Sequence, residues 1–300
     1  VLVVGACVES DFPAATKSNA ELGVGSTYLL QKWASGGHHP QIHIKVDSGL
    51  CRQGLSLQEL RGSLEEIKRS TPIWLKIKGI YSHFSDVEDV SRQECAHNQI
   101  HVFESCLAEY QRLGGQGICH LASSAATMLL PQSHYDLCRV GISLYGLWPS
   151  DLTRLSFFSI SEKELQLRPA LSWRAKIAAI RRVKKGEKIS YGGTYQATRD
   201  MRVAVVPVGY YEGYPRIASN VGAYVLIASH QCQILGRICM NMMVVDVSEC
   251  APLVSEESVV TLVGIDGDKQ VSLEKLAGWS QTINYEVVTR INSKLPRILV

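Results

Sequence analysis

The sequence lacks several features that would place it in a familiar class of protein. No apolar run approaches the roughly 18 residues of a membrane-spanning helix, so we expect no membrane partner. The net charge of +3 is small and scattered, which argues against a nucleic-acid partner. The nine cysteines form no CxxC pair and no regular framework, which favours reduced thiols in a cytoplasmic protein.

Motifs of common catalytic classes are also missing. The sequence contains no HExxH motif, no Cys/His pair at zinc spacing and no aspartate cluster, so it predicts no metal site. It contains no G-x-S-x-G turn of a serine hydrolase. Asp47 and Glu88 follow predicted strands and could form a glycosidase pair, but the sequence does not set their separation.

The first half of the sequence alternates predicted strands with predicted helices. The apolar run VLVVGA (1–6) is typical of a parallel strand buried on both faces, and 42–47 and 75–84 predict two more strands. The helix after the second strand begins at a capping box of Ser56 and Glu59. Repeated β-α units predict a parallel sheet, with an α/β barrel as the favoured closure and an open doubly wound sheet as the alternative.

The series continues with a long helix that stops at Gly114–Gly115, a strand at 118–122, a short helix SAATMLL and a strand with its turn at 138–146. Only about five β-α units are visible, whereas a closed barrel has eight. After residue 165 the pattern changes to strands separated by turns, with one helix near SLEKLAGW. We therefore predict a partial barrel over 1–164 and a mainly antiparallel β domain over 165–300.

Side chains that bind anions or move protons follow the ends of the predicted strands. Because barrel active sites lie at the C-terminal ends of the strands, we expect these side chains to converge. In RVGISLYG, the backbone around Gly141 and Ile142 is suited to binding a phosphate. The polar residues at the strand ends are Lys45, Arg52, His83, His120, Ser123, Ser124 and Arg139.

The segment GEKISYGGTYQA (186–197) places Tyr191 in a glycine-rich turn after a basic run. Tyrosine is a poor base near neutral pH because its ordinary pKa is about 10. Neighbouring cations can lower that pKa and make a tyrosine a general base, and Lys184, Lys185 and Lys188 are candidates, together with Arg139 and the two strand-end histidines. A lone tyrosine is more often a packed aromatic, so both interpretations stay open on the residues alone.

Eight motifs together resemble the alanine racemase family, the pyridoxal-phosphate (PLP) enzymes of bacterial cell-wall precursor synthesis. They run in family order along the whole chain: HIKVDSGLCRQGL, IKGIYSHFSD, CHLASSAA, CRVGISLYGL, GEKISYGGTY, VPVGYYEGYPR, LGRICMNM and INYEVVTR. The resemblance implies a PLP-binding barrel followed by a β domain, in a cytoplasmic head-to-tail homodimer with shared active sites. It also implies interconversion of L- and D-alanine through a PLP aldimine, which supplies D-alanine to peptidoglycan.

The resemblance further implies roles for single residues. Tyr191 is the base for the α-proton of L-alanine, and a PLP-bound lysine works on the opposite face. Arg52 contacts the phenolic oxygen of the cofactor and the substrate carboxylate, and Lys45 resembles the lysine, often carbamylated, that orients this arginine. Arg139 faces the pyridine nitrogen. The other implied members are His83 and His120 in the hydrogen-bond network, Ser124, Gly141, Ile142 and Tyr285 on the phosphate, Met240 on the substrate, and Tyr210, Arg216 and Arg237 along the substrate corridor.

The sequence departs from the family pattern in several places. It lacks the lysine motif V-K-A-x-A-Y-G-H-G and opens at Val1 within a strand-like run, so we expect an N-terminally incomplete copy without the Schiff-base lysine. Ser123, Asn241 and Cys51 stand where the family usually has asparagine, aspartate and glycine. Two alternatives stay open: a truncated paralogue without catalysis, and a racemase for another small amino acid such as serine.

Overall fold

A computed structural model describes residues 1–69, 73–162 and 164–300. The chain divides into two compact units, 1–167 and 168–300. Among the described residues, no helix combines the length and the apolar character that crossing a membrane requires.

The first unit is built on a parallel sheet whose spatial order follows the order of the chain. Its strands in the described residues are β1 (Leu2–Val3), β2 (Glu21–Val24), β3 (Ile42–Lys45), β4 (Ile77–Tyr81) and β5 (Ile118–His120). A doubly wound sheet reverses its strand order at a switch point, whereas a barrel wall does not. The uninterrupted order therefore supports the barrel interpretation over the open sheet.

Helices follow the strands of this unit, and their ends are specified locally. They are α1 (Phe12–Ser18), α2 (Thr27–Ser35), α3 (Leu57–Lys68), α4 (Glu94–Arg112), α5 (Ser124–Leu129) and α6 (Asp151–Ile160). The predicted capping box is confirmed: the Glu59 N–H donates to Ser56 Oγ, and the Glu59 carboxylate accepts from the Ser56 N–H. Beyond the end of α4, Gly114 adopts a φ of +89°, a conformation that favours glycine.

The two faces of the sheet differ in chemistry because side chains alternate along a strand. Ile42 and Ile44 of β3 and Ile80 of β4 pack into one apolar core that also contains helix residues such as Leu64 and Phe103. The opposite face carries Glu21, His43, Lys45, Tyr81 and His120. One face thus holds the helices, and the other is free to carry chemistry.

Two of the predicted strands were wrong in extent or burial. In VLVVGA only Leu2–Val3 pairs, with β2 on one side, and Val3 and Val4 are each 41% exposed rather than buried on both faces. The segment 138–146 is not a strand: a 3₁₀ turn at Ile142–Tyr145 follows Gly141, whose φ of −104° and ψ of −93° lie outside the β region. This backbone conformation ends any extended pairing at Gly141.

One strand that positions the site was not predicted. β2 contains Gly23, and glycine weakens a strand signal. A Cβ at this position would lie 2.1 Å from Tyr81 Oη, so the missing side chain makes room for the ring of the next-but-one strand.

The second unit is mainly antiparallel, as predicted from its sequence. Its strands are β6 (Trp173–Lys176), β7 (Ala179–Val183), β8 (Lys188–Ile189), β9 (Tyr195–Gln196), β10 (Met201–Val206), β11 (Tyr224–Ile227), β12 (His230–Gln233), β13 (Met243–Asp246), β14 (Val259–Asp266) and β15 (Lys269–Val271). The sheets are ordered β13-β10-β7, β12-β11-β14-β15 with β6 paired to β14, and β8-β9. Two short helices, α7 (Leu273–Trp279) and α8 (Asn284–Arg290), follow.

Candidate active site

A cavity of about 460 Å³ lies in the first unit, beyond the ends of the central strands. Lys45, Arg52, His83 and Arg139 line it, and no acidic side chain occurs among its described lining residues. A concave site lined by cations and hydrogen-bond donors attracts an anionic ligand. Four of the residues predicted from strand ends therefore meet in one cavity.

Strand register explains why these side chains meet. Lys45, Tyr81 and His120 are the last residues of β3, β4 and β5, and the register pairs Lys45 with Tyr81 and Tyr81 with His120. Parallel strands end at the same edge, so three consecutive strands deliver three neighbouring side chains. The sequence could indicate that Lys45 and His120 lie close together, because each of their strands was recognisable on its own.

The ring of Tyr81 forms the centre of the site, and our sequence reasoning missed it. It stacks on the His120 imidazole with centroids 4.8 Å apart and an interplanar angle of 6°. The Arg139 guanidinium lies 5.3 Å from the ring centroid, and Lys45 Nζ lies 5.8 Å from it. Burial raises the pKa of Tyr81 to about 12, so the ring is neutral. The signal that could have found Tyr81 was its place as the last residue of β4, the strand between β3 and β5.

Arg139 is held by acceptors on both of its terminal nitrogens. Nη1 lies 2.6 Å from His120 Nδ1, and Nη2 donates to the carbonyls of Ser82 and Leu121 at 2.6 and 3.0 Å. His83 Nδ1 lies 3.2 Å from Nη2. Burial lowers the pKa of Arg139 to about 10, which still leaves it protonated at neutral pH. The guanidinium is thus a fixed and permanent donor.

The two imidazoles beside Arg139 are neutral. Burial, followed by the charge of Arg139, lowers the pKa of His83 to about 4 and that of His120 to about 3. Because Arg139 can only donate, each imidazole accepts at Nδ1 and carries its proton on Nε2. Burial, and then the charges of Arg52 and Arg139, lowers the pKa of Lys45.

The predicted phosphate turn at Gly141 is hydrogen-bonded to the first residue of α5. The Gly141 N–H donates to Ser124 Oγ at 2.9 Å, which leaves the buried Ser124 hydroxyl its own proton to donate. A Cβ on Gly141 would meet nothing within 4 Å, so the backbone here faces open space. In the next turn, Ser143 Oγ is buried with no hydrogen-bond partner in the described structure. These unused polar groups fit a bound anion.

In the second unit, a tight turn presents Tyr191 to solvent. The side chain is 68% exposed on the 3₁₀ turn Tyr191–Gly193, which follows Ser190 at a φ of +63°. Gly192 has a φ of +72°, and a Cβ there would lie 2.8 Å from Arg237 Nη1. The backbone therefore needs glycine at 192, and Arg237 packs against the turn.

The other predicted residues of the second unit are exposed. Tyr210 and Met240 lie on adjoining segments, because the Tyr210 N–H donates to the Cys239 carbonyl. Arg216 starts a 3₁₀ turn at Arg216–Ala218. Tyr285 lies in α8.

The carboxylate of Asp47, two residues after Lys45, has structural partners. Asp47 Oδ1 accepts from the N–H groups of Gly49, Leu50 and Cys51 at 2.8, 2.9 and 3.2 Å, and so closes the loop before Arg52. This use argues against Asp47 as half of a glycosidase pair. Among the described residues, no group of three or more His, Cys, Asp or Glu side chains is arranged to hold a metal ion.

Comparisons with known proteins agree with the motifs. The alanine racemase N-terminal domain profile matches residues 1–149, and the C-terminal domain profile matches 170–299. An alanine racemase of Leptospira interrogans is 41% identical over 262 residues, covering 87% of this chain and 66% of that protein. One from Desulforamulus reducens is 33% identical and covers 100% of this chain and 79% of that protein.

Solved structures give the same result. The alanine racemase of Bacillus anthracis with bound L-Ala-P superposes with a TM-score of 0.87 at 30% identity, over 100% of this chain and 75% of that one. This likeness confirms the predicted fold class. The chain spans only 66% of the length of the Leptospira protein. Because both domain profiles match in order and together cover most of the residues, the chain belongs to the alanine racemase family.

Proposed function

We propose that the protein interconverts L-alanine and D-alanine with PLP as its cofactor. The observation that carries this proposal is the cavity lined by Lys45, Arg52, His83 and Arg139, with a guanidinium fixed by acceptors, in a chain that both domain profiles of the family match. The alternatives of a pseudoenzyme and of a serine racemase have no comparable observation in their favour.

The donors in the first unit fit PLP, which offers a phosphate, a phenolic oxygen and a pyridine nitrogen as separate acceptors. Ser124, Gly141 and Ile142 would hold the phosphate, Arg52 the phenolic oxygen and Arg139 the pyridine nitrogen. PLP supplies an electron sink for the pair left on the α-carbon when its proton departs.

The state of Arg139 decides how strong that sink is. A carboxylic acid at the same place would give its proton to the ring nitrogen, whereas a guanidinium keeps its protons and only donates hydrogen bonds. His120 and His83, both neutral, accept from Arg139 and cannot draw its protons away. We infer that this arrangement limits charge delocalisation into the ring and so disfavours transamination. The cationic Arg52 would pair with the substrate carboxylate.

Racemisation requires a proton to leave one face of the α-carbon and another to arrive on the opposite face. Tyr191 is our proposed base for one face, because its turn holds the ring exposed rather than packed. Met240 would contact the substrate, Tyr285 would contribute to the phosphate site, and Tyr210, Arg216 and Arg237 would line the corridor. The family's lysine motif does not occur in the 300 residues, so we assign the second face to none of them.

We also propose a homodimer in which Tyr191 serves the barrel of the partner subunit. Coexpression of Tyr191→Phe and Arg139→Met subunits under separate affinity tags tests this arrangement. Tandem purification yields mixed dimers that carry one intact and one doubly damaged site, so roughly half of the wild-type activity is expected. Activity no higher than that of either variant alone contradicts a shared site.

The stereochemical assay tests the proposed function itself. The purified full-length protein is incubated with PLP and either alanine enantiomer, and the product is separated on a chiral column. Enantiomers have equal free energy, so both reactions must stop at an equal mixture. No conversion of either enantiomer contradicts the proposal, and faster turnover of serine than of alanine would change the assigned substrate.

A further inference from the structure

Four polar side chains form a continuous row from β2 to the cavity. Glu21 Oε2 lies 2.9 Å from His43 Nε2, and His43 Nδ1 lies 2.9 Å from His120 Nε2. His120 Nδ1 in turn lies 2.6 Å from Arg139 Nη1. We call these four residues the Glu21–Arg139 row. The function proposed above uses only its last two members.

The direction of every hydrogen bond in this row is fixed by its ends. Arg139 can only donate, so His120 accepts at Nδ1 and holds its proton on Nε2. That proton donates to His43 Nδ1, which places the proton of His43 on Nε2. An ionised carboxylate can only accept, so Glu21 accepts a hydrogen bond from the His43 Nε2–H and completes the row.

The same geometry excludes a charged imidazole at either position. A protonated His120 would point an Nδ1–H at the Arg139 N–H. A protonated His43 would donate at Nδ1, and His120 would then need to accept on both nitrogens, which requires an imidazolate. The contact of His43 with Glu21 is therefore a hydrogen bond from a neutral ring and not an ion pair. Burial, the largest influence on His43, lowers its pKa in agreement with this.

Packing leaves the row little freedom to choose another arrangement. His43 and His120 are 1% and 0% exposed, so water cannot replace a lost partner. Gly79 on β4 lies opposite His43 in the register, and a Cβ there would lie 2.6 Å from His43 Nδ1. Glu21, at 31% side-chain exposure, is partly open to solvent at its end of the row.

We propose that Glu21 and His43 are positioning residues for Arg139. They hold His120 in the neutral Nε2–H form, whose Nδ1 accepts a hydrogen bond from the guanidinium of Arg139. Without an acceptor at Glu21, the buried Nε2–H of His43 is unsatisfied, so the present position of the His43 ring is no longer favoured. A shift of His43 would weaken the hydrogen bond that it accepts from the His120 Nε2–H, and the hold on Arg139 would loosen. The effect on turnover rests on the proposed function, whereas the proton positions do not.

The first test reads the proton positions directly. The full-length protein is labelled with ¹⁵N-histidine, and two-bond ¹H–¹⁵N correlation spectra distinguish Nδ1–H, Nε2–H and imidazolium rings. His43→Asn and His120→Asn assign the two signals among the nine histidines. The expected result is Nε2–H for both rings at neutral pH. An Nδ1–H or imidazolium pattern at either ring overturns the proposal.

The second test compares Glu21→Leu with Glu21→Gln, whose amide oxygen still accepts. In the leucine variant we expect loss of the downfield proton signal of the His43 Nε2–H hydrogen bond and a kcat about tenfold lower, with KM little changed, as is typical when a supporting hydrogen bond behind a site is lost. Glutamine should restore both. An unchanged His43 Nε2–H signal in the leucine variant, or an equal loss of kcat with glutamine, overturns the positioning role. If the wild type fails to racemise alanine, the proposed function fails, and the spectra still decide the proton positions.

Discussion

The two units carry their candidate residues in opposite ways. In the first unit, Lys45, His120 and Tyr81 are buried, and Arg139 is fixed by several acceptors. In the second unit, Tyr191 and Met240 are 68% and 54% exposed on turns. A buried polar network is costly to disturb because each member leaves a partner unsatisfied, whereas an exposed side chain can change without loss of stability. The units should therefore respond differently to substitution.

The largest effect should come from Tyr191→Phe, which tests the exposed side of this comparison. Loss of the hydroxyl removes the proposed base, so turnover of L-alanine should fall by about 10²- to 10⁴-fold. The melting temperature should stay unchanged because the side chain contributes little packing. The chiral assay and thermal denaturation followed by circular dichroism measure the two effects. Tyr211→Phe, another exposed tyrosine, is the matched control and should change neither.

Gly79→Ala tests the buried side. The new Cβ would lie 2.2 Å from the Ile118 carbonyl oxygen and 2.6 Å from His43 Nδ1, so the sheet must shift. We expect the free energy of unfolding to fall by about 3 kcal/mol, as for severe overpacking. Urea denaturation measures it. Gly62→Ala in α3 is the control: its Cβ meets nothing within 4 Å, and it should stabilise by about 0.5 to 1 kcal/mol. Equal responses would contradict the packing argument.

The carboxylate of Glu109 extends the comparison to the pH dependence of stability. Hydrogen bonds from Arg112 and Arg61 lower its pKa from 4.5 to about 2, so the folded protein binds this proton less readily than the unfolded chain. The resulting stabilisation is complete above about pH 4.5 and is lost as the pH falls towards 2. Glu109→Gln should flatten the acid limb of the curve of unfolding free energy against pH, measured by urea titration at each pH. Arg112→Gln should have an intermediate effect. An unaltered limb in both variants would refute this assignment.

The smallest effect concerns the loop before Arg52. Cys51 has a φ of +55°, a region that costs residues with a Cβ about 1 to 2 kcal/mol. Cys51→Gly should raise the free energy of unfolding by about 0.5 to 1 kcal/mol after the greater freedom of glycine in the unfolded chain is counted. Cys51→Ala keeps the Cβ and should give no gain. A gain with alanine would show that the thiol, and not the backbone, is the source of strain.

Much of the fold followed from local patterns. The capping box at Ser56 and Glu59 and the periodicity of α3 involve residues three or four positions apart, so they are visible in one stretch of chain. The convergence of Lys45 and His120 also followed, because strands of a parallel sheet end at one edge. The roles assigned to Tyr191 and the other site residues stay predictions.

The sequence by itself determined the order of the β-α units, the antiparallel character of the second unit and the residue types at the strand ends. Only the tertiary structure decided that Tyr81 lies at the centre of the cavity, that β1 is exposed, and that Glu21 and His43 join the site. The reason is distance along the chain. His43 and His120 are 77 positions apart, and Glu21 and His43 are 22 apart, so their hydrogen bonds depend on sheet register. Which nitrogen holds each proton then follows from the partners that the register supplies.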